Sequence, residues 1–430
     1  MTLSNLLIGG SILLSSNANA YTLKAADLIF NQSEAVSVYT SVGTTVIGGN
    51  TPYFAVADGL NAPKFAEVYD GKGNLVWTFS NATSDSDFLV DTARHADSTD
   101  SGPVDVFVAS CDASGCNLFG RTSATDTTRW MVSLPECSTD GGGGTYTGFQ
   151  ASDSGNRVAI RCIITGATPT VRVYVIGGQS GEITWQKDLA KTEKAGQGQI
   201  QISSSGSHVL LVNEGGVPTP NSATAFVFDG ADGTLIDAIP IPFFITAAIS
   251  DSGDYVVVGD EPNVHVYKLD SSSGNYTHAY DAAPPAAGEW IPWDVQISTG
   301  SDATEILVVG YISGDVLTVA IGGFSLPTGS TTLAWISKTN PKLQENPTIR
   351  ADGDFVAVSL WGNEGDLPTV VLLQGGSNTP LFEYVTPGSM FAVDVNVVGR
   401  NTVYLAAAGK AVPANEFGNG GNAFGWKISV

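Results

Sequence analysis

A chain of 430 residues with 42 acidic against 19 basic side chains carries a formal net charge of −23. No basic patch is available to release phosphate counterions, which argues against nucleic acid and against docking on an anionic membrane. Charged residues make up only 14%, apolar residues 43%, and glycine fills 50 positions, so the chain is globular and not disordered.

Residues 1–20 (MTLSNLLIGGSILLSSNANA) hold a short apolar core followed by Ala18-Asn19-Ala20, the small-x-small pattern of a cleaved secretory signal, though no Lys or Arg precedes it. This predicts a signal peptide over 1–20, a lead-in over 21–34 and one domain over 35–430, secreted, or periplasmic in a bacterium. The apolar run near 236–249 contains Asp237, Pro240 and Pro242 and is too short to span a bilayer, so no membrane insertion is expected.

From residue 35 onward the chain is a succession of short β-branched and aromatic runs punctuated by Gly, Ser, Asp and Asn. A turn Gly recurs at Gly49, Gly102, Gly155, Gly206, Gly253, Gly300, Gly353 and Gly399, spaced 46 to 53 residues apart. Each is followed by an apolar run, among them YFAVA, VDVFVA, RVAIRC, YVVVG and EILVVG. Residues 245–281 show one complete unit, four strand-like runs in a single period. Four antiparallel strands per period is the size of a β-propeller blade. The fold expected is therefore all-β, a single propeller of eight four-stranded blades; one misread Gly would leave seven. After Gly399 the chain offers a second strand near 402–407 and a third near 423–430. Residues 35–39 (AVSVY) stand unassigned before the first blade. Pairing that N-terminal strand with the C-terminal ones completes the eighth blade and closes the ring.

The four cysteines imply two disulfides with three possible pairings. Cys111 and Cys116 bracket a tight loop, which favours a bridge there and leaves Cys137 with Cys162. A zinc site is the alternative, disfavoured by spacing and by the lack of a nearby His. The sequons at Asn31, Asn81 and Asn275 offer glycosylation acceptors. Of the histidines, His208, His265 and His278 fall on strands and read as blade-surface residues, while His95 lies where it approaches the channel. The turns at Asp229–Asp232 and Asp251–Asp254 carry oxygen ligands of the kind calcium takes, and equally the residues any tight turn requires. No metal or cofactor is expected beyond that open calcium question. No G-x-S-x-G elbow is present to support a serine hydrolase.

The turns ahead of the fourth strands carry a second regularity. Residues 66–77 read AEVYDGKGNLVW and residues 174–185 read YVIGGQSGEITW, each with a Trp four positions after a Gly. This resembles the repeat of the pyrroloquinoline-quinone-type, or quinoprotein dehydrogenase-like, propellers, whose ring has eight blades. The resemblance implies that Trp77, Trp130, Trp185 and Trp335 dock between neighbouring blades. Blades four, five, seven and eight lack the Trp, and blade five has His278 at the equivalent offset from Gly274. The first turns SDSG and ADGD look equally like those of WD40-like propellers. The quinone enzymes carry vicinal cysteines and a Glu, Asn and Asp calcium set; this chain has no adjacent cysteines. The resemblance therefore points to the non-enzymatic branch.

Loop length is asymmetric. The second-to-third and fourth-to-first connections share one face of a propeller and are long here, at 137–144, 213–224, 282–293, 361–369 and 408–422, whereas the other face has short Gly turns. Irregular loops on a rigid scaffold are where binding residues concentrate. Trp290, Trp293, Trp361 and Phe417 supply aromatic platforms on that face; Asp260, Glu261, Glu289, Glu364 and Glu416 supply carboxylates. Such a set suits a glycan, by stacking and hydroxyl hydrogen bonds, or a protein partner. The expected role is non-catalytic binding or scaffolding. Two alternatives stand beside it: a polysaccharide hydrolase or lyase using paired carboxylates of the same face, and self-association of the rings.

Overall fold

The computed structural model describes residues 21–430 apart from 36–37, 49–50, 59–64, 81–86, 95–102, 113–114, 138–147, 165–169, 191–197, 214–222, 242–244, 261–262, 287, 301–302, 314–318, 338–346, 362–366 and 414–419. The expected signal peptide, Gly49, Gly102, His95 and Asn81 lie outside the described residues. The strands form eight four-stranded antiparallel sheets in chain order, the blades of one propeller. Blade one shows the pattern: Tyr39–Ile47 lines the channel, followed outward by Thr51–Asp58, Phe65–Asp70 and Leu75–Ser80. Second and third strands are the most buried, as in Phe355–Leu360 and Val370–Gln374, where every residue is buried. They are sandwiched between neighbouring blades and so read as continuous apolar runs instead of alternating ones.

The turn glycines behave as the spacing requires. Gly155, Gly206, Gly253, Gly353 and Gly399 sit at φ between 57° and 77°, a region that favours glycine. Blade six departs: there Ala303, at φ 65°, takes the left-handed position in place of Gly300.

An N-terminal strand does close the ring, but it is Ala25–Glu34, not residues 35–39. It pairs antiparallel with Gly421–Ser429, from Ala25 opposite Ser429 to Glu34 opposite Gly421, as the outermost strand of blade eight. Tyr39 instead begins the channel strand of blade one. The closing strand escaped recognition because an outermost strand has little apolar burden: of AADLIFNQSE only Phe30 is buried. Phe30 stacks on Tyr69 of blade one with ring centroids 4.7 Å apart and an interplanar angle of 11°. One side chain thus ties the two ends of the chain together.

Phe30 is one case of a general joint. The outer strand bulges, and the residue just after the bulge reaches the next blade. Trp77 Nε1 donates to Thr122 O at 3.1 Å, Trp130 Nε1 to Gly178 O at 2.9 Å, and Trp185 Nε1 to Gly230 O at 3.0 Å. The Trp130 and Trp185 rings lie against turn glycines; a Cβ at Gly181 would come within 2.7 Å of the Trp130 ring, and one at Gly233 within 2.7 Å of the Trp185 ring. In blade six the residue just after the bulge is Leu333, and Trp335, two residues on, packs at the same junction of blades six and seven, with Val371 and Leu373. In blade five the bulge falls between His278 and Tyr280, so Tyr280, not His278, makes the joint, its hydroxyl donating to Leu326 O at 3.0 Å. In blade four Asp237 substitutes by accepting the Tyr276 N–H at 2.7 Å.

The channel strands have an unpaired inner edge, and side chains satisfy it blade by blade. Ser41 accepts from Val90 N, Asp91 from Ala151 N, Gln150 from Ile202 N, Gln199 from Ala247 N, Thr246 from Val295 N and Asp294 from Ile349 N. Thr348 Oγ1 donates to Phe391 O, and Asp394 accepts from Thr44 N, which completes the circuit. Across this ring lies Arg94 of blade two. Its guanidinium donates to Ala351 O of blade seven at 3.0 Å and to Asp394 of blade eight at 3.1 Å, and lies 3.6 Å from Asp153 of blade three. Blades three and seven stand opposite each other, so the side chain crosses the channel near the short-turn face.

Candidate functional site

The long-loop face is assembled from strand ends whose local irregularities decide what it presents. The channel strands of blades six and eight, Trp290–Thr299 and Met390–Val398, bulge between Pro292 and Asp294 and between Met390 and Ala392. A bulge inserts one unpaired residue and re-aims its side chain; the inserted residues are Trp293 and Phe391. Trp293 is 40% exposed. Trp361, at the end of the second strand of blade seven, is equally exposed and meets Phe391 edge to face, with centroids 5.5 Å apart. Among the described residues Trp293 makes no ring contact with this pair but stands at the same end of the neighbouring blade, and the three line an aromatic lip on blades six to eight.

Leu360 precedes Trp361 and turns to the opposite side of the strand, as alternation dictates. It lines a pocket of about 240 Å³ at the same end of blades six and seven, together with Trp335, Ile336, Leu367, Pro368 and Glu383. The lining is mixed: apolar side chains share it with Ser337 and the carboxylate of Glu383.

The remaining sequence candidates separate. Trp290 is buried among Tyr311, Phe324 and Leu326 in the packing of blades five and six, so it offers no surface to a partner. Glu289 is exposed beside it. Asp260 is buried and engaged by the backbone N–H of Asn263 and by His265. Phe417, Glu261, Glu364 and Glu416 lie outside the described residues.

Both disulfides form as paired from the sequence, which consumes all four cysteines and removes the zinc alternative for them. Cys111–Cys116 clamps the hairpin of blade two, and Cys137–Cys162 ties the end of blade two to the second strand of blade three, both at the long-loop end. Such bridges belong to oxidising compartments. Among the described residues no helix is long and apolar enough to cross a membrane. Asn31 is exposed on the closing strand and Asn275 on the outer strand of blade five. In the acidic turns, Asp229 accepts from Ala231 N and Asp232 from Thr234 N, while Asp251 accepts from the hydroxyls of Ser204 and Thr299 on flanking blades. These carboxylates close turns and join blades.

Sequence reasoning passed over a group on blade five, again at the long-loop end. Asp281 Oδ1 lies 2.6 Å from His265 Nδ1 and 2.7 Å from His278 Nε2, and His265 Nε2 lies 3.0 Å from Asp260 Oδ2. The hydrogen bond to Asp260, aided by Asp281 and opposed by burial, pushes His265 up to about 9. Desolvation works upward on Asp281, yet the bonds from His278 and His265 hold its carboxyl below the usual range. The signal available in the sequence was hairpin register: His265 and Asp281 sit directly opposite each other.

No family model matches this chain, and no curated protein matches it by sequence. Solved structures do. A structure of the Dos1 propeller aligns with a TM-score of 0.55 at 10% identity over 93% of this chain and 94% of that one. Sqt1 of Chaetomium thermophilum aligns with a TM-score of 0.55 at 11% identity over 93% and 98%. Kuenenia stuttgartiensis hydrazine synthase aligns with a TM-score of 0.45 at 11% identity over 79% of this chain and 96% of that chain. Similarity to the two WD40-type propellers, Dos1 and Sqt1, at this identity shows the shared propeller fold and nothing finer.

Proposed function

We propose that this protein is a secreted, non-catalytic binding module that engages a protein partner through the aromatic lip and adjoining pocket of blades six to eight. One contrast carries the reading. The fold buries Trp77, Trp185, Trp290, Trp335 and Trp426, yet leaves Trp293 and Trp361 each 40% exposed at the same end of adjacent blades. Exposed Trp beside a pocket is the composition of an interface hot spot, and a ring joined at every blade gives it a rigid platform. A glycan is the second class of partner, since Trp faces stack on sugar rings; the spread of the exposed aromatics over three blades favours the broader surface of a protein. A hydrolase or lyase needs two carboxylates at the bond to be cleaved. Of the expected carboxylates that are described, Asp260 is committed to His265 and Glu289 is exposed; the exposed tryptophans carry the binding reading.

The test is affinity capture from the natural extracellular milieu, paired with a glycan array, using wild type, Trp293→Ala/Trp361→Ala, and Arg400→Ala on the opposite face. Loss of a partner in the double variant alone supports the proposal. Capture unaffected by the double variant sinks it.

Self-association has its own observation. Leu75, Ile183 and Leu235 are about half exposed, each two residues after a turn Gly, at matching points on the outer walls of blades one, three and four. Light scattering that shows only monomer at high concentration removes that reading.

A further inference from the structure

The histidine–aspartate group on blade five has no part in the lip or its pocket, and its geometry has a cause. In a regular strand residues three apart point to opposite faces. The bulge in Asn275–Ala282 inserts Ala279, which returns Asp281 to the face of His278. Opposite them, His265 projects from Val264–Asp270 directly across from Asp281. The result is two imidazoles and a carboxylate with ligand atoms all within 4.8 Å of one another. The two imidazole rings stand edge to face with centroids 5.8 Å apart.

We propose that His265, His278 and Asp281 form a binding site for a divalent transition metal of the zinc class. Three features argue for it. First, the donor set is right: two imidazoles, which yield a ring proton when a metal binds, and a carboxylate suit zinc, copper or nickel, whereas calcium and magnesium take oxygen ligands. Second, the side chains of His278 and Asp281 are about half exposed, at 49% and 51%, so an ion has an entry path and a solvent ligand can fill a fourth tetrahedral position. Third, His265 is oriented from behind. Its Nε2 faces Asp260, whose side chain is 7% exposed and fixed by Asn263 N–H, so Nδ1 is directed at Asp281. A buried carboxylate that receives the far ring N–H of a histidine is the usual support of a metal-ligating imidazole. A bound ion would join the third and fourth strands of blade five at the long-loop end. The proposal does not depend on the lip.

The test is calorimetric titration of the full chain, stripped with chelator and dialysed, with zinc chloride and separately with calcium chloride. We expect one zinc ion per chain and no calcium at this group. His278→Ala, at a side chain exposed enough to leave the fold intact, should weaken zinc binding at least tenfold, and Asp281→Asn likewise. Asp260→Asn, a positioning residue, should cost about 10- to 100-fold while one ion per chain is retained. Zinc should raise the melting temperature of wild type and not of His278→Ala. Absence of saturable zinc uptake, or uptake that His278→Ala leaves unchanged, overturns the proposal.

Discussion

Replacing Arg94 by Met keeps most of the side-chain volume and removes the charge that crosses the channel. Asp394 would retain Thr44 N and Oγ1 on Oδ2, at 2.7 and 2.8 Å, but lose its partner on Oδ1. Ala351 O would lose a donor and Asp153 its nearest cation. Breaking a buried ion pair from one side costs about 3–5 kcal/mol, because the remaining charge stays desolvated. The Asp153 side chain is 30% exposed and regains water, so we place the loss near the lower end, about 3 kcal/mol. Urea denaturation followed by tryptophan fluorescence would measure it as a drop in midpoint at unchanged slope. Adding Asp394→Asn to Arg94→Met should recover part of the loss, because the uncompensated carboxylate is gone. A cost below about 0.5 kcal/mol, the range of an ordinary surface substitution, would refute the view that Arg94 braces opposite sides of the ring.

Stability should also depend on pH in an unusual direction. Desolvation raises Asp91 and Asp105 from 3.8 to about 6 in the fold. A carboxyl that holds its proton more tightly when folded contributes nothing adverse below its unfolded value and destabilises as pH rises through its folded one. Two units correspond to about 3 kcal/mol each as an upper figure. The raised His265 adds a smaller, solvent-screened contribution that is present below 6.5 and lost as pH passes about 9. Asp70, Asp188 and Asp281 are held low and withdraw stability only in stronger acid. Melting temperature should therefore peak near pH 4, fall to about pH 6 and decline more gently toward pH 9; a rise between pH 5 and 8 would contradict these assignments. Phe30→Ala should cost about 3–5 kcal/mol, the range for an emptied aromatic core site. It should also make the first strand the earliest site of limited proteolysis, and cleavage elsewhere first would count against closure through that residue.

How much of this was legible in the sequence follows from where the information is local. Blade number and second-strand positions could be read because a Gly stands in or within three residues of the left-handed turn position beside an apolar run, even in blade six, where Ala303 takes that position. Both disulfides could be paired because Cys111 and Cys116 sit across one hairpin. The closing strand could not be located, since nine of its ten residues carry no buried side chain and nothing local marks it. His278 was aligned with the joint tryptophans because spacing from Gly274 cannot reveal that the bulge in blade five falls two residues later. Of the tryptophans chosen for the binding face, Trp293 and Trp361 are exposed and Trp290 is not, and nothing in the run WIPW marks that Trp293 is the inserted residue of a bulge while Trp290 packs inward. Arg94 and the Asp260–His265–Asp281–His278 group depend on residues brought together from different strands or blades, which no local pattern announces.

The most direct measurement is the affinity of a captured partner for wild type and for Trp293→Ala/Trp361→Ala, with melting curves showing that both are folded. Binding weakened by more than tenfold in the double variant, with Arg400→Ala at wild-type affinity, is the result we expect. Equal affinity for wild type and the double variant would contradict the assignment of the lip as the binding surface.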